Sequence, residues 1–525
     1  MEILIGMKIE KTKNASRNII FGILLKLYQI LLPFAIRTII MYTIGVEYLG
    51  LNSLFISVLQ VLNLAELGVG SAMVFSMYKP IAEDDSVTIC ALMALYRLYY
   101  RIIGGVILVG GLILTPFIPK LISGSVPPDM NVYILYLLNL LATVLTYWLF
   151  AYKNSILQAH QRTDIASKVT IITDTVKYLF QIGALCFLHN YYAFVIVLLI
   201  SQILNNILTA IVSNRIFPEF KPKGKLPKEE IKKINGKIKD LFTSHLGYTI
   251  VSSADTIVIS AFLGLKVLAQ YQNYYYIMSS IIGFMSIIYA SITAGVGNSM
   301  LTKTKEQNYE EFKTFTLLVC FVSGICCACF MTLYQPFMTI WMGKSMLLSQ
   351  SIVILLCIYF WFYELVMMIS VYKDAGGIWH EDRFRPLISG VANLFINLLL
   401  VKVIGLYGII ISTIASVIFI SLPWIVKNVN ALIFNRNPGE YFKIIIINSL
   451  KVVFSTTIVY LIVSFINIGH LYGLILKGFT TVFFMLFLLM MLFRHDNQYN
   501  NAKELLFRLL KLDKVFKIFK KGVTH

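Results

Sequence analysis

Between Ile19 and Ile44 the chain runs for 26 residues with only two charged side chains, Lys26 and Arg37. A helix of about 20 mostly apolar residues crosses the hydrocarbon core of a bilayer, where only a helix or a closed barrel satisfies every backbone N–H and C=O. The same character recurs along the chain. Tyr48 to Phe75, Ile89 to Phe117, Val132 to Leu157, Ile165 to Leu188 and Tyr191 to Ile216 complete a first set of six stretches. Leu241 to Leu263, Leu268 to Val296, Phe312 to Tyr334, Ser351 to Tyr372, Leu387 to Ile404 and Leu406 to Val426 form a second set. Ile444 to Ile466 and Leu471 to Phe493 close the series. The expected fold class is an all-α polytopic membrane protein of about 14 transmembrane helices. Only 14% of the residues are charged and 58% are hydrophobic, whereas a soluble chain carries roughly a quarter charged residues.

A formal net charge of +19 would suggest nucleic acid in a soluble chain, but here the position of each charge relative to the membrane decides its meaning. When the loops are assigned alternately to the two sides, one side holds 34 of the 45 Lys and Arg. The other holds only Lys120, Lys266, Lys344 and Lys402, and seven lie within the spans. The positive-inside rule then puts both termini in the cytoplasm, with the chain in a cytoplasmic membrane and no nucleic acid as partner. Lys8, Lys11, Lys13 and Arg17 lead into the first span without a cleavage pattern, so that span is expected to be retained. The seven cysteines show no metal or disulfide spacing; Cys326, Cys327 and Cys329 fall in one apolar stretch as small hydrophobes.

The chain also repeats itself. Sliding the sequence along itself until Pro116-Phe117 falls on Pro336-Phe337 also puts Tyr152-Lys153 on Tyr372-Lys373 and His160 on His380. The adjacent register, shorter by one, matches Gly45 to Gly264 and Leu49 to Leu268. Spacing preserved over several loops marks an internal duplication. Six spans separate equivalent points, so the repeats are parallel. The expected organisation is a first lobe over 1–216, a basic linker over 217–240, a second lobe over 241–435, two further spans over 436–495 and a cytoplasmic tail over 496–525. From Ala502 to Lys521 that tail has the pattern of a basic amphipathic helix.

A charge inside a membrane is costly, about 2.5–3.5 kcal/mol on insertion scales, so it faces a cavity or a partner. The separation of Lys26 and Arg37 on the first span is close to three helical turns, which puts both on one face. Arg97 and Arg101 share a face of the third span, and Lys177 lies in the fifth. Glu66 and Asp174 are the acids set against them, with Asp174 placed to pair with Lys177. In the second lobe the intramembrane acids are Asp255 and Glu364. The expectation is a cationic cavity in the first lobe suited to an anionic substrate, bound by Lys26, Arg37, Glu66, Arg97, Arg101 and Lys177. An inside-negative potential favours outward movement of negative charge, by about 2.3 kcal/mol per charge per 100 mV.

The segments Arg37-Thr38-Ile39-Ile40, Gly45 to Phe55 and Leu64-Ala65-Glu66-Leu67-Gly68 resemble the polysaccharide-transporter branch of the multidrug/oligosaccharidyl-lipid/polysaccharide exporters. Tyr78 to Ala82, Ala159 to Asp164, Asp255 to Ser260, Gly264 and Tyr271 extend the resemblance over nearly the whole chain. It implies two six-helix lobes plus two terminal helices, as in MATE-type exporters and the lipid II flippase. It also implies alternating access on an undecaprenyl-pyrophosphate-linked oligosaccharide for capsule or exopolysaccharide synthesis, in a bacterial cytoplasmic membrane. Lys26, Arg37, Arg97 and Arg101 are then expected to attract the pyrophosphate, with Glu66 holding the cations in place. Asp255 and Glu364 are candidates for a coupling proton or sodium ion, and no other cofactor or metal is expected. The implied partners are the lipid-linked anionic glycan, membrane lipids and polysaccharide polymerase or assembly proteins.

A peptidoglycan-precursor (lipid II) flippase and a cation or drug antiporter of the MATE type stay open as alternatives. A glycan polymerase or glycosyltransferase needs a catalytic loop of some size, and Glu83-Asp84-Asp85 and His380-Glu381-Asp382 are the acidic clusters to consider for it. The chain is read as a transporter and not an enzyme. His160 and His380 mark matched cytoplasmic corners of the two lobes.

Overall fold

The computed structural model describes residues 11–66, 68–124, 126–466 and 469–509. Regular structure among the described residues is entirely helical, as their apolar runs require. The first helices are α1 (Lys11–Thr43), α2 (Val46–Leu62), α3 (Val69–Ala82), α4 (Ser86–Leu114), α5 (Val132–Trp148), α6 (Lys153–Ala159), α7 (Thr163–Cys186), α8 (Tyr191–Ile216) and α9 (Lys228–Leu263). There follow α10 (Leu265–Thr302), α11 (Lys305–Trp341), α12 (Gln350–Ala375), α13 (Arg385–Ile404), α14 (Leu406–Ser416), α15 (Leu422–Val429), α16 (Pro438–Ser464), α17 (His470–Phe493) and α18 (Tyr499–Leu509). Among the described residues, twelve stretches are single helices, or helices continued by 3₁₀ or π turns, long and apolar enough to cross a bilayer. The α5/α6 pair, bent by 57°, makes a thirteenth.

The remaining stretch of the series, Tyr48 to Phe75, is not one helix. α2 covers 17 residues and passes into a 3₁₀ turn at Asn63–Glu66. Gly68 then takes a left-handed conformation (φ 85°) before α3 begins. Such a backbone suits a residue without Cβ, and Gly68 and Gly70 crowd the point where the run breaks. Hydropathy does not register the break, because Leu64, Leu67 and Val69 keep the stretch apolar.

Short polar residues start several of the helices. Asp85 Oδ1 accepts the Thr88 N–H at 3.0 Å, Asn131 Oδ1 accepts those of Tyr133 and Ile134, and Asn190 caps α8. Thr304 and Gln307 form a capping box at α11. Each cap satisfies amide donors that the first turn of a helix leaves open.

The duplication is visible in these starts. Val46 and Leu265 begin helices in the register that matches Gly45 to Gly264, and so do Ser86 and Lys305. Gly45 (φ 120°, ψ 170°) and Gly264 (φ 87°, ψ 173°) share the conformation that lets one span end and the next begin at once.

The chain divides into two compact units, Met1–Gln272 and Asn273–His525. In the first, α1 packs along α7, with Asn18 bridging to the Gln161 carbonyl and the Asp164 amide at 2.9 Å each. α9 belongs to this unit and is held along its length. Tyr99 Oη donates to Asn235 Oδ1 (2.7 Å), Gln60 Nε2 to Ser252 Oγ (3.2 Å), and the Ser123 amide to the Ser260 carbonyl (2.9 Å). The basic stretch from Lys228 and the seventh span form one continuous helix.

In the second unit α11 is central, packed by α12, α16 and α17. Thr316 pairs with Tyr441 (2.7 Å) and Thr332 with Thr481 (2.9 Å), so buried hydroxyls satisfy one another across helices. α13 and α14 form a tight hairpin around the buried Asn393, Asn397, Ser412 and Thr413. The span begun by α14 reaches Phe434 through π turns at Val417–Ser421 and Asn430–Phe434. Of the tail, α18 is described to Leu509, and the rest of the Ala502–Lys521 pattern lies outside the described residues.

Candidate functional site

Six of the candidate residues are expected to line one cationic surface, and the structure divides them. Lys177 on α7 is neutralised by Asp174, with Nζ 2.6 Å from Oδ1, and lies 4.2 Å from the centroid of the Tyr178 ring. Lys26 on α1 and Arg97 on α4 are half-buried, and Arg101 is exposed. Among the described residues none of these three side chains has an ion-pair partner. Arg37 lies half-buried three turns beyond Lys26 on α1.

Glu66 pairs with phenols rather than with any of these cations. At the 3₁₀ turn that interrupts the second span, its Oε1 accepts the Tyr100 hydroxyl at 3.1 Å. Tyr100 in turn accepts from Tyr96 at 2.7 Å, one turn back on α4. Tyr147 of α5 packs edge-on against Tyr100, with centroids 5.3 Å apart. The cluster is tight: a Cβ at Gly70 would sit 3.0 Å from Tyr96 Oη and 3.1 Å from Glu66 Oε1. The i, i+4 spacing of Tyr96 and Tyr100 is present in the sequence, but Arg97 and Arg101 carry the same spacing one residue on.

The two acids proposed for ion coupling fall in different units. Asp255 is buried on α9 in the first unit, beside Thr256, whose hydroxyl accepts Gln272 Nε2 at 2.8 Å. Glu364 on α12 belongs to the second and has 0% of its surface exposed. Tyr289 of α10 donates to its Oε2 at 2.6 Å, while Oε1 is buried without a hydrogen-bond partner among the described residues. Each unit thus holds a glutamate tied to a tyrosine, but on helices that do not correspond. The second span of the first repeat carries the acid, whereas the equivalent α10 carries the phenol, Tyr289 falling on Gly70 in the register that matches Gly45 to Gly264.

Two further features lie outside the candidate set. Lys451 of α16, inside a span, is held by both Asp496 oxygens at 2.7 and 2.8 Å. A cavity of about 540 Å³ among α11, α12 and α16 is lined mainly by apolar side chains, including Cys327, Met331, Trp361 and Val452, and by none of the charged candidates.

The histidine corners share position but not environment. His160 is 6% exposed, its Nδ1 2.9 Å from the Ile156 carbonyl and its ring 4.4 Å from Phe217 and 5.4 Å from Phe220. Lys153 Nζ donates to the Phe220 carbonyl at 3.0 Å, so this corner clamps the start of the linker. Burial pushes the His160 imidazole below its ordinary value, against the opposing pull of the Ile156 carbonyl and Glu219. His380 is exposed, with its Nδ1 3.0 Å from Arg383 Nη1. In the register that puts His160 on His380, Phe217 and Phe220 become Asn437 and Glu440, so the linker's aromatic cover has no counterpart in the second copy.

Helices of this length and number, duplicated in parallel and carrying ionisable groups within their spans, define a multi-pass membrane transporter of the exporter fold. Residues 15–294 match the family described as "Polysaccharide biosynthesis protein". The chain belongs to that family, the polysaccharide-transporter branch of the multidrug/oligosaccharidyl-lipid/polysaccharide superfamily. No curated protein sequence matches it.

Solved structures agree on the fold. The lipid II flippase MurJ in an inward closed conformation aligns with a TM-score of 0.64 at 14% identity, over 91% of this chain and 99% of that one. An inward-facing multidrug resistance MATE transporter aligns at 0.60 and 16% identity, over 77% and 95%. A superfamily transporter from Pyrococcus furiosus aligns at 0.52 and 13% identity, over 81% and 97%.

Proposed function

We propose that this protein is a flippase that moves an undecaprenyl-pyrophosphate-linked oligosaccharide outward across the bacterial cytoplasmic membrane, by alternating access, for capsular or exopolysaccharide synthesis. The observation that carries the reading is the set of cations on α1 and α4. Lys26, Arg97 and Arg101 have no acidic partner among the described residues, and charge kept near or within a membrane without a partner needs a ligand or a hydrated surface. A pyrophosphate supplies the missing negative charge. Arg37 lies three turns from Lys26 on the same helix and is assigned to the substrate by that position, whereas Lys177 contributes less because Asp174 already neutralises it. Export also follows the inside-negative potential, which favours outward movement of each negative charge by about 2.3 kcal/mol per 100 mV.

In this reading the protein performs no covalent chemistry, both termini are cytoplasmic, and polymerase or assembly proteins receive the glycan outside. Asp255 and Glu364 take the coupling proton or sodium ion. The test is glycan-lipid flipping in proteoliposomes. Arg37→Ala and Arg97→Ala proteins that fold normally are expected to lose most of the rate, and unchanged flipping in both would sink the assignment.

Transport of the peptidoglycan precursor is the second reading. It is favoured by the alignment with the lipid II flippase, which takes in 91% of this chain against 77% for the MATE transporter. Growth of a strain depleted of its own lipid II flippase, restored by this protein, would favour it over the first reading. Resistance to cationic dyes on expression would favour a MATE-type antiporter instead.

A further inference from the structure

The loop of residues 376–384, between α12 and α13, displays aromatic side chains on a rigid base. Trp379 is 65% exposed and Phe384 45%. Beneath them Asp382 and Arg385, both buried, form a two-pronged ion pair, Nε to Oδ1 at 2.7 Å and Nη2 to Oδ2 at 2.8 Å, with Lys373 Nζ 3.6 Å from the same carboxylate. Trp424 and Asn428 donate to the Glu381 carbonyl, and Trp379 Nε1 donates to Asp374. Burying an ion pair to hold a loop whose large apolar side chains remain outside makes sense when something apolar meets them.

The fold sets the depth of this loop. α13 has 20 residues, about 30 Å, which matches the hydrocarbon core. Phe384 immediately precedes it, and so stands at one edge of that core. Phe384 also heads the exposed apolar stripe of α13, Ile388, Val391, Phe395 and Leu399, at the i, i+4, i+7, i+11, i+15 spacing of one helical face. The surface that meets lipid tails thus continues into the loop without a step. Arg383 sits between the aromatic residues, its guanidinium 4.7 Å from the Phe384 ring centroid and bonded to His380.

We infer that residues 376–384 are a membrane-interface anchor, with Trp379 and Phe384 seated at the boundary of headgroups and acyl chains and Arg383 facing a phospholipid phosphate. The occupant is the phospholipid leaflet itself. Tryptophan favours this zone because its ring is apolar and its N–H polar. The other copy of the loop lacks these side chains: in the register that puts His160 on His380, Ala159, Thr163 and Asp164 stand where Trp379, Arg383 and Phe384 do. The anchor would fix the height of the α12–α13 hairpin in the bilayer.

The test uses the full chain in nanodiscs of phosphatidylglycerol and phosphatidylcholine, with no glycolipid present. The fluorescence of Trp379 is the difference between the wild-type and Trp379→Phe spectra. Acyl chains brominated near the headgroup are expected to quench it at least twofold more than chains brominated near their ends, and aqueous iodide is expected to quench it little. Strong iodide quenching with no response to either bromolipid would overturn the inference. Arg383→Gln is expected to weaken quenching by a spin-labelled phosphatidylglycerol headgroup while bromolipid quenching persists. Equal headgroup quenching in wild type and Arg383→Gln would remove Arg383 from the anchor. Trp379→Phe keeps a ring in place, and an unchanged size-exclusion profile shows that it folds.

Discussion

Tyr289 Oη donates to Glu364 Oε2 at 2.6 Å, tying α10 to α12 inside the second unit, and no second donor among the described residues reaches the other carboxylate oxygen. The contact joins two spans through a group that apolar packing alone would exclude. Tyr289→Phe removes the one observed donor, and loss of a donor to a buried carboxyl group costs about 1–3 kcal/mol. The thermal midpoint of the purified protein should fall. Glu364→Gln in the Tyr289→Phe background is expected to recover part of it; a Tyr289→Phe protein as stable as wild type would show the bond to be dispensable.

The bend of the second span should depend on Glu66 and the space around it. Gly70→Ala places a methyl 3.0 Å from Tyr96 Oη and 3.1 Å from Glu66 Oε1, and forced overpacking of this kind costs typically about 1–3 kcal/mol. Tyr100→Phe removes the donor to Glu66 without adding bulk. Spin labels on α2 and α3 should report a changed or broadened distance in both variants. Unchanged distances would show that the backbone, not the cluster, holds the break.

Lys177 and Asp174 should behave as a pair. Each single neutralisation leaves a half-buried charge facing the apolar surroundings of α7, whereas Lys177→Gln with Asp174→Asn removes both. A double-mutant cycle on thermal stability is expected to give a coupling of about 0.5–3 kcal/mol. If Lys177→Gln alone abolished flipping while the cycle showed no coupling, Lys177 would be a substrate ligand rather than a paired structural charge.

The His160 corner makes the linker contact sensitive to acid. Its folded-state affinity for a proton lies below that of the unfolded chain, so its contribution to stability is complete above the ordinary histidine value of about 6.5 and is lost as pH falls through the depressed folded value. The apparent melting temperature should decline on going from pH 8 to pH 5, with Glu219 moderating the effect. His160→Phe keeps an aromatic ring against Phe217 and should flatten this slope. His380→Phe, at the exposed corner, should leave it intact, and equal effects of the two substitutions would remove the distinction between the corners.

Apolar run length determined the membrane class and the placing of the candidate spans, of which twelve are long enough to cross as helices and the α5/α6 pair makes a thirteenth, while residues recurring at a fixed spacing revealed the duplication. Run length is a property that is local along the chain. Lipid demands about 20 apolar residues per crossing wherever they occur. The ionisable candidates could likewise be named, because charge inside a span is conspicuous.

Tertiary structure decided which of those charges are satisfied. Glu66 meets Tyr100 because the break at Gly68 sets it against α4. The Lys177–Asp174 pair, three residues apart on α7, is by contrast legible in the spacing alone. Asp255 counts with the first unit, although it lies in the second repeat, because α9 bonds to α2, α4 and the Ser123 loop along its length. Identical histidines at the two corners part company for the same reason: two phenylalanines from a linker cover one and leave the other open. A repeat in sequence duplicates the helices, but the neighbours that pack against them set the chemistry of each copy.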